Sequence, residues 1–99
     1  MHVTVSWDIT ASGSRFVEIN NLMKEALKGY SWVRPLKSVY IVKVESADRR
    51  AELKNGLVNV IKTVNETVHL LITPPMEGGT YSGWLPKDLW EKINLRTMS

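Results

Sequence analysis

Asp8 is the acid best placed to do chemistry in this 99-residue chain. It follows the alternating apolar positions Val3, Val5 and Trp7 and precedes the loop Thr10-Ala11-Ser12-Gly13-Ser14. A carboxylate at a strand end can hold a divalent cation, because hard cations take oxygen ligands. One carboxylate per chain is a weak metal site; a two-fold axis bringing a second copy within reach would strengthen it. Asp8 suits equally the plainer tasks of capping the loop or pairing with a nearby base. His69 has the type for a general base near neutral pH, and equally for a surface or interface residue. His2, at the chain end, carries less weight.

Arg15, Arg34, Lys37 and Lys43 can contact phosphates or simply line a solvated face. Arg49, Arg50, Lys54 and Lys62 alternate with Asp48 and Glu52 and read as solvated helix surface. Of the four tryptophans, Trp7 belongs with the core and Trp32 precedes a bend. Trp84 and Trp90 join Tyr81 in a C-terminal aromatic set. Such a set can stack on bases; the expectation here is that it anchors a tail onto its own sheet or onto a twin subunit. Several chemistries are excluded. Glu77-Gly78-Gly79-Thr80 lacks the lysine and following helix of a phosphate loop. There is no metalloprotease helix motif, nucleophile elbow or Ser/His/Asp order. The chain has no cysteine, which removes disulfides, thiolate-bound zinc, iron–sulfur clusters and thiol catalysis.

The elements that must position these residues follow from periodicity. His2 to Thr10 alternates as a half-buried strand. Ser14 suits the cap of a helix beginning at Arg15, whose stripe is Phe16, Ile19, Leu22, Met23, Ala26 and Leu27, with Gly29 as its stop. Ser31 to Val44 is extended by its β-branched and aromatic content. Pro35 predicts a bend or bulge there and a cleaner strand from Lys37 to Val44; a break would make Ser31 to Arg34 a separate strand. Ser46-Ala47-Asp48 opens a second helix with the stripe Leu53, Leu57, Val60, Ile61 and Val64. Gly56 in its middle suggests close packing on the sheet. Thr67 to Thr73 is a strand ended by Pro74-Pro75, 77–80 is a turn or flexible loop, and Pro86 starts a short helix from Lys87 to about Ile93.

Two helical crossovers over one sheet predict an α+β, two-layer sandwich of ferredoxin-like (split βαβ) type, with both helices on one face of a mostly antiparallel sheet. The predicted core is Val3, Val5, Trp7, Phe16, Ile19, Leu27, Leu57, Val60, Ile61, Leu70 and Ile72. The other face is solvated, covered by the tail, or buried in a partner. Length and composition (43% hydrophobic, 23% charged) fit one domain over 1–99 with a tail over 76–99. A net charge of +3 suits a nucleic-acid partner without requiring one. No apolar run reaches ~18 residues and no signal peptide is evident, so the expectation is a cytoplasmic protein without a membrane partner.

Two segments resemble a known family. Val3-Thr4-Val5-Ser6-Trp7-Asp8-Ile9 is similar to the first strand of the small CRISPR-associated (Cas-two-like) proteins that partner the spacer integrase. Arg34-Pro35-Leu36-Lys37-Ser38-Val39-Tyr40 is similar to their second strand, with Pro35 and Leu36 where polar residues are usual. The compact VapD-like and SinR-like relatives resemble the chain equally. The resemblance implies a ferredoxin-like protomer in a two-fold dimer, with strand-end aspartates of two subunits binding a divalent cation in nuclease members. It implies Asp8 as the catalytic and metal residue, with Arg15, Arg34 and Tyr40 at positions that match the family's loop and second strand and so as nucleic-acid contacts. The residue reading adds Lys37 to these contacts and gives Trp84 and Trp90 as an interface, in a tail that has no counterpart in the CRISPR-associated members. The expected function is a homodimeric module binding RNA or DNA. The alternatives are an endoribonuclease using Mg or Mn at Asp8 of each protomer, and a protein-interaction module of a mobile element or phage.

Overall fold

A computed structural model describes residues 1–77 and 81–97. These build β1 (His2–Ile9), α1 (Gly13–Glu25), β2 (Trp32–Leu36), β3 (Val39–Lys43), α2 (Ala47–Thr63), β4 (Val68–Ile72) and α3 (Lys87–Thr97). The four strands form one antiparallel sheet in the order β2-β3-β1-β4. The α+β expectation is met, and the arrangement is compatible with a ferredoxin-like fold. Of the turn expected over 77–80, Gly78, Gly79 and Thr80 lie outside the described residues.

The alternation of β1 decides which face is covered. Val3, Val5 and Trp7 are buried with Ile19, Met23 and Leu27 from the α1 side and Leu53 and Leu57 of α2. Trp7 stacks on Tyr40 of β3 with ring centroids 4.5 Å apart, and its Nε1 donates to Asn20 Oδ1 at 3.0 Å. Strand and helix are thereby locked together by an apolar contact and a polar one. α2 starts as expected: the Ser46 hydroxyl accepts from the Arg49 N–H at 3.1 Å, satisfying one of the helix's orphan donors.

Several expectations are corrected. α1 begins at Gly13, with Ser12 at the cap position and no side-chain cap bond; Gly13 has φ +61, a conformation that glycine adopts without penalty. Phe16, expected in the core, is 40% exposed. It lies in the first turn of α1, beyond the end of the buried row Ile19–Met23–Leu27. Val60, Ile61, Leu70 and Ile72 are only partly buried, because β4 is an edge strand and nothing described flanks its outer side. The bulge expected near Pro35 is present, since the register shifts between Val33 and Leu36. Pro35 stays inside β2, however, and the chain reverses at Lys37-Ser38, so the next strand starts at Val39 and not at Lys37. An edge strand tolerates the proline, since the missing N–H need not serve a ladder.

The second sheet face is divided. Val33 and Ile41 are buried under Ile93 of α3, with Tyr81, Leu85 and Trp90 packed around them. The C-terminal segment therefore covers the β2/β3 half of this face, as one of the three expected outcomes had it. Tyr81 also covers His2 at the start of β1, whereas Asp8 at the end of β1 and His69 and Leu71 of β4 stay exposed among the described residues.

Candidate nucleic-acid interface

The antiparallel registers gather most of the candidate residues at one end of the sheet. Ser6 pairs with Val39, so the Lys37-Ser38 turn lies towards the Asp8 end of β1. Ile9 pairs with Val68 and Asp8 with His69, which brings the start of β4 to the same end. Asp8 and His69 are both exposed and stand on the face that carries Thr4 and Ser6. Sequence reasoning placed both residues on this face; only the strand order makes them neighbours.

Arg15 is already engaged. Its Nε and Nη2 donate to the two Glu66 oxygens, the second at 3.1 Å, and Nη1 donates to Glu18 Oε2 at 3.0 Å. These bonds raise the guanidinium pKa further and hold the Glu66 carboxyl below its ordinary value. Arg15 ties the start of α1 to the α2–β4 connection and has little left to offer a phosphate. Arg34 closes its own hairpin, with Nε donating to the Lys37 carbonyl at 2.9 Å, and its guanidinium carbon lies 5.6 Å from the Tyr40 ring centroid. Lys37 is exposed at the tip. Tyr40, expected among the nucleic-acid contacts, is instead in the core against Trp7 and Trp32. Its ring has no free face for a base, and burial raises its hydroxyl pKa.

Beside the hairpin runs a groove of about 320 Å³ whose lining includes Leu36, Val39, Ile41, Trp84, Trp90 and Ile93. Trp90 is half-buried and anchors α3, whereas Trp84 is 99% exposed. The two tryptophans, treated alike in the sequence, thus have different tasks. Leu36, also exposed, stands in the sequence only as an apolar residue where the resembled family has polar ones; its place after Pro35 on an edge strand is the signal for its exposure.

Among the described residues no group of three His, Cys, Asp or Glu could hold a metal ion. Asp8 and His69 supply one carboxylate and one imidazole, short of the oxygen-rich shell that Mg²⁺ or Mn²⁺ takes. No described helix is long and apolar enough to cross a membrane. No known family model matches this chain, and no curated protein matches it.

Proposed function

We propose that the protein is a nucleic-acid-associated binding module, working as a homodimer of ferredoxin-like domains. The observation that carries the reading is Trp84. A fully exposed indole beside an apolar groove, next to a hairpin bearing Arg34 and Lys37, combines the two parts of a single-strand site: a stacking surface and cations for the backbone. The strand order and the two helices on one face support the ferredoxin-like assignment, and with it the Cas-two-like and VapD-like resemblance.

The test is tryptophan fluorescence during titration with single-stranded RNA and DNA at low salt. Binding should quench the indole signal and weaken steeply as salt rises. Trp84→Ala should cost about 1–3 kcal/mol of binding, the worth of one stacked base, and leave the unfolding midpoint unchanged because the side chain touches little. A chain that binds neither nucleic acid at low salt would turn the exposed groove into a protein-docking surface.

A second reading, metal-dependent RNA cleavage at Asp8, is favoured by one observation: an exposed carboxylate faces an exposed imidazole across adjacent strands. Asp8→Asn should then bring cleavage with Mg²⁺ or Mn²⁺ to background while single-strand binding persists. Equal cleavage by the variant would sink that reading.

A further inference from the structure

His2 is buried where its ring has nothing to bond. Among the described residues neither Nδ1 nor Nε2 has a hydrogen-bond partner. The Tyr81 ring packs on the imidazole, and the Tyr81 hydroxyl is buried without a partner as well. Buried polar side chains are ordinarily paired. This joint is therefore held by ring packing, with no side-chain hydrogen bond across it. Beside it, the backbones of His2 and Met76 exchange two hydrogen bonds.

Tyr81 is also one end of a short wall. The groove next to the β2–β3 hairpin is lined on one side by Leu36, Val39 and Ile41, and on the other by the stretch from Tyr81 to Leu85. That stretch carries the exposed Trp84. At its far end α3 has its own seat, with Ile93 on Val33 and Ile41. At its near end the seat is His2. Among the described residues no backbone hydrogen bond joins 81–85 to the sheet.

The groups around the ring set the sign of its response. The Met1 ammonium repels an imidazolium and Glu77 attracts it, while those two face each other at 3.9 Å. Lys43 of β3 is the cross-strand neighbour and a second cation. On the β4 side the neighbour is the uncharged Met76. The C-terminal segment presents the neutral phenol of Tyr81, and α3 packs on β2 and β3. A proton on His2 adds a charge and a second N–H donor at a place that offers its ring nitrogens no acceptor, which is costly in a buried site.

We propose that His2 is an acid-sensitive latch on the Trp84 site: proton uptake by the imidazole undoes the Tyr81 anchor, and the 81–85 wall leaves the groove while α3 and the helix-side core stay in place. As regulation, this rests on the single-strand reading above. The released ring takes up its proton near the ordinary 6.5, the docked ring only at lower pH. Release therefore consumes a proton between the two values, and its equilibrium constant rises by at most about tenfold per pH unit across that window.

Nuclear magnetic resonance and oligouridylate binding, both followed from about pH 7.5 to pH 5, test the latch. The wild type is expected to lose the His2–Tyr81 ring contact as His2 titrates, and to keep the Trp7–Tyr40 and Ile93–Ile41 contacts. Its affinity for oligouridylate, whose bases do not titrate in this range, should fall with that loss. His2→Leu and His2→Gln retain His69 and carry no titrating group at position 2. Both should match the wild type at neutral pH and hold that affinity in acid to within about twofold. Tyr81→Ala removes the anchor outright and should bind weakly throughout. A ring contact that survives the His2 titration, or that disappears together with the Trp7–Tyr40 contact, overturns the latch. So does a wild-type affinity that acid lowers no more than it lowers the affinity of the His2 variants. The single-strand reading is scored separately: a wild type that binds no oligouridylate at neutral pH loses that reading, and the ring contact alone then decides whether the anchor lets go.

Discussion

The Tyr81 ring packs against the buried His2 imidazole, with ring centroids 5.5 Å apart and planes inclined by 48°. His2 is 1% exposed. Its backbone exchanges two hydrogen bonds with Met76, at 2.9 and 2.8 Å, and Lys43 is its cross-strand neighbour. Burial holds the imidazole below its ordinary 6.5; the N-terminal ammonium acts in the same direction and Glu77 opposes it. The chain-end histidine is thus a strut between β1 and the C-terminal segment, and it fits there as the neutral form.

Acid should therefore loosen the fold through His2. The unfolded chain binds this proton near pH 6.5, the folded chain only at lower pH. Unfolding takes up a proton between the two values, so stability rises with pH across that window. The contribution is present above 6.5 and is lost as pH falls through the lowered folded value. Urea midpoints should drop between about pH 7.5 and pH 5 in the wild type and change less in His2→Leu. An equally steep dependence in the variant would assign the acid sensitivity elsewhere.

The first two helices carry a stability prediction that separates two apolar residues, Leu57 of α2 and Phe16 of α1, by burial. Leu57 is fully buried, and Leu57→Ala should cost about 2–5 kcal/mol through lost contacts and a residual cavity. Phe16→Ala should cost less than about 1 kcal/mol, despite removing a larger side chain, because much of that ring is already in water. Denaturant unfolding of both variants measures the contrast; equal losses would contradict the placement of Phe16.

The difference between these residues also marks what was legible. The Val3, Val5, Trp7 alternation and the helix stripes through Ile19 and Leu57 are local periodicities, and the α+β architecture followed from them. Phe16 obeys the same period, yet its burial depends on how far the neighbouring layer extends, which no local pattern encodes. The Lys37-Ser38 reversal lies inside an unbroken β-branched and aromatic run whose only punctuation is Pro35. At the candidate site, the Asp8–His69 pairing depends on strand order, and the Arg15–Glu66 bridge joins residues 51 positions apart. The different roles of Trp84 and Trp90 emerge only when α3 docks and leaves one of them in solvent.

Arg15 should prove structural, not nucleic-acid-binding. Its bonds to Glu66 lower that carboxyl's pKa, so this bridge contributes above the ordinary value of 4.5 and is lost as pH falls through the lowered folded value. Arg15→Met should reduce the unfolding midpoint at neutral pH by a small amount that shrinks with added salt. The difference should vanish in acid once Glu66 is protonated. Affinity for single-stranded RNA should stay within about twofold of wild type, a ΔΔG of roughly 0.4 kcal/mol. A tenfold loss of affinity at unchanged stability would return Arg15 to the binding surface.

Gly56 offers a stabilising change. It was expected to permit close packing on the sheet, but its nearest neighbour is Ala26, just after α1. A Cβ at position 56 would sit 3.9 Å from the Ala26 Cβ, ordinary van der Waals contact. The position is inside α2, where glycine costs about 1 kcal/mol against alanine through the freedom it retains in the unfolded chain. Gly56→Ala should therefore raise stability by about 0.4–1 kcal/mol, with a small added gain from the new methyl contact between the helices. Thermal or urea unfolding measures this directly. A destabilised variant would mean that α1 and α2 approach more closely than the Ala26 distance indicates, and that the glycine is required for packing.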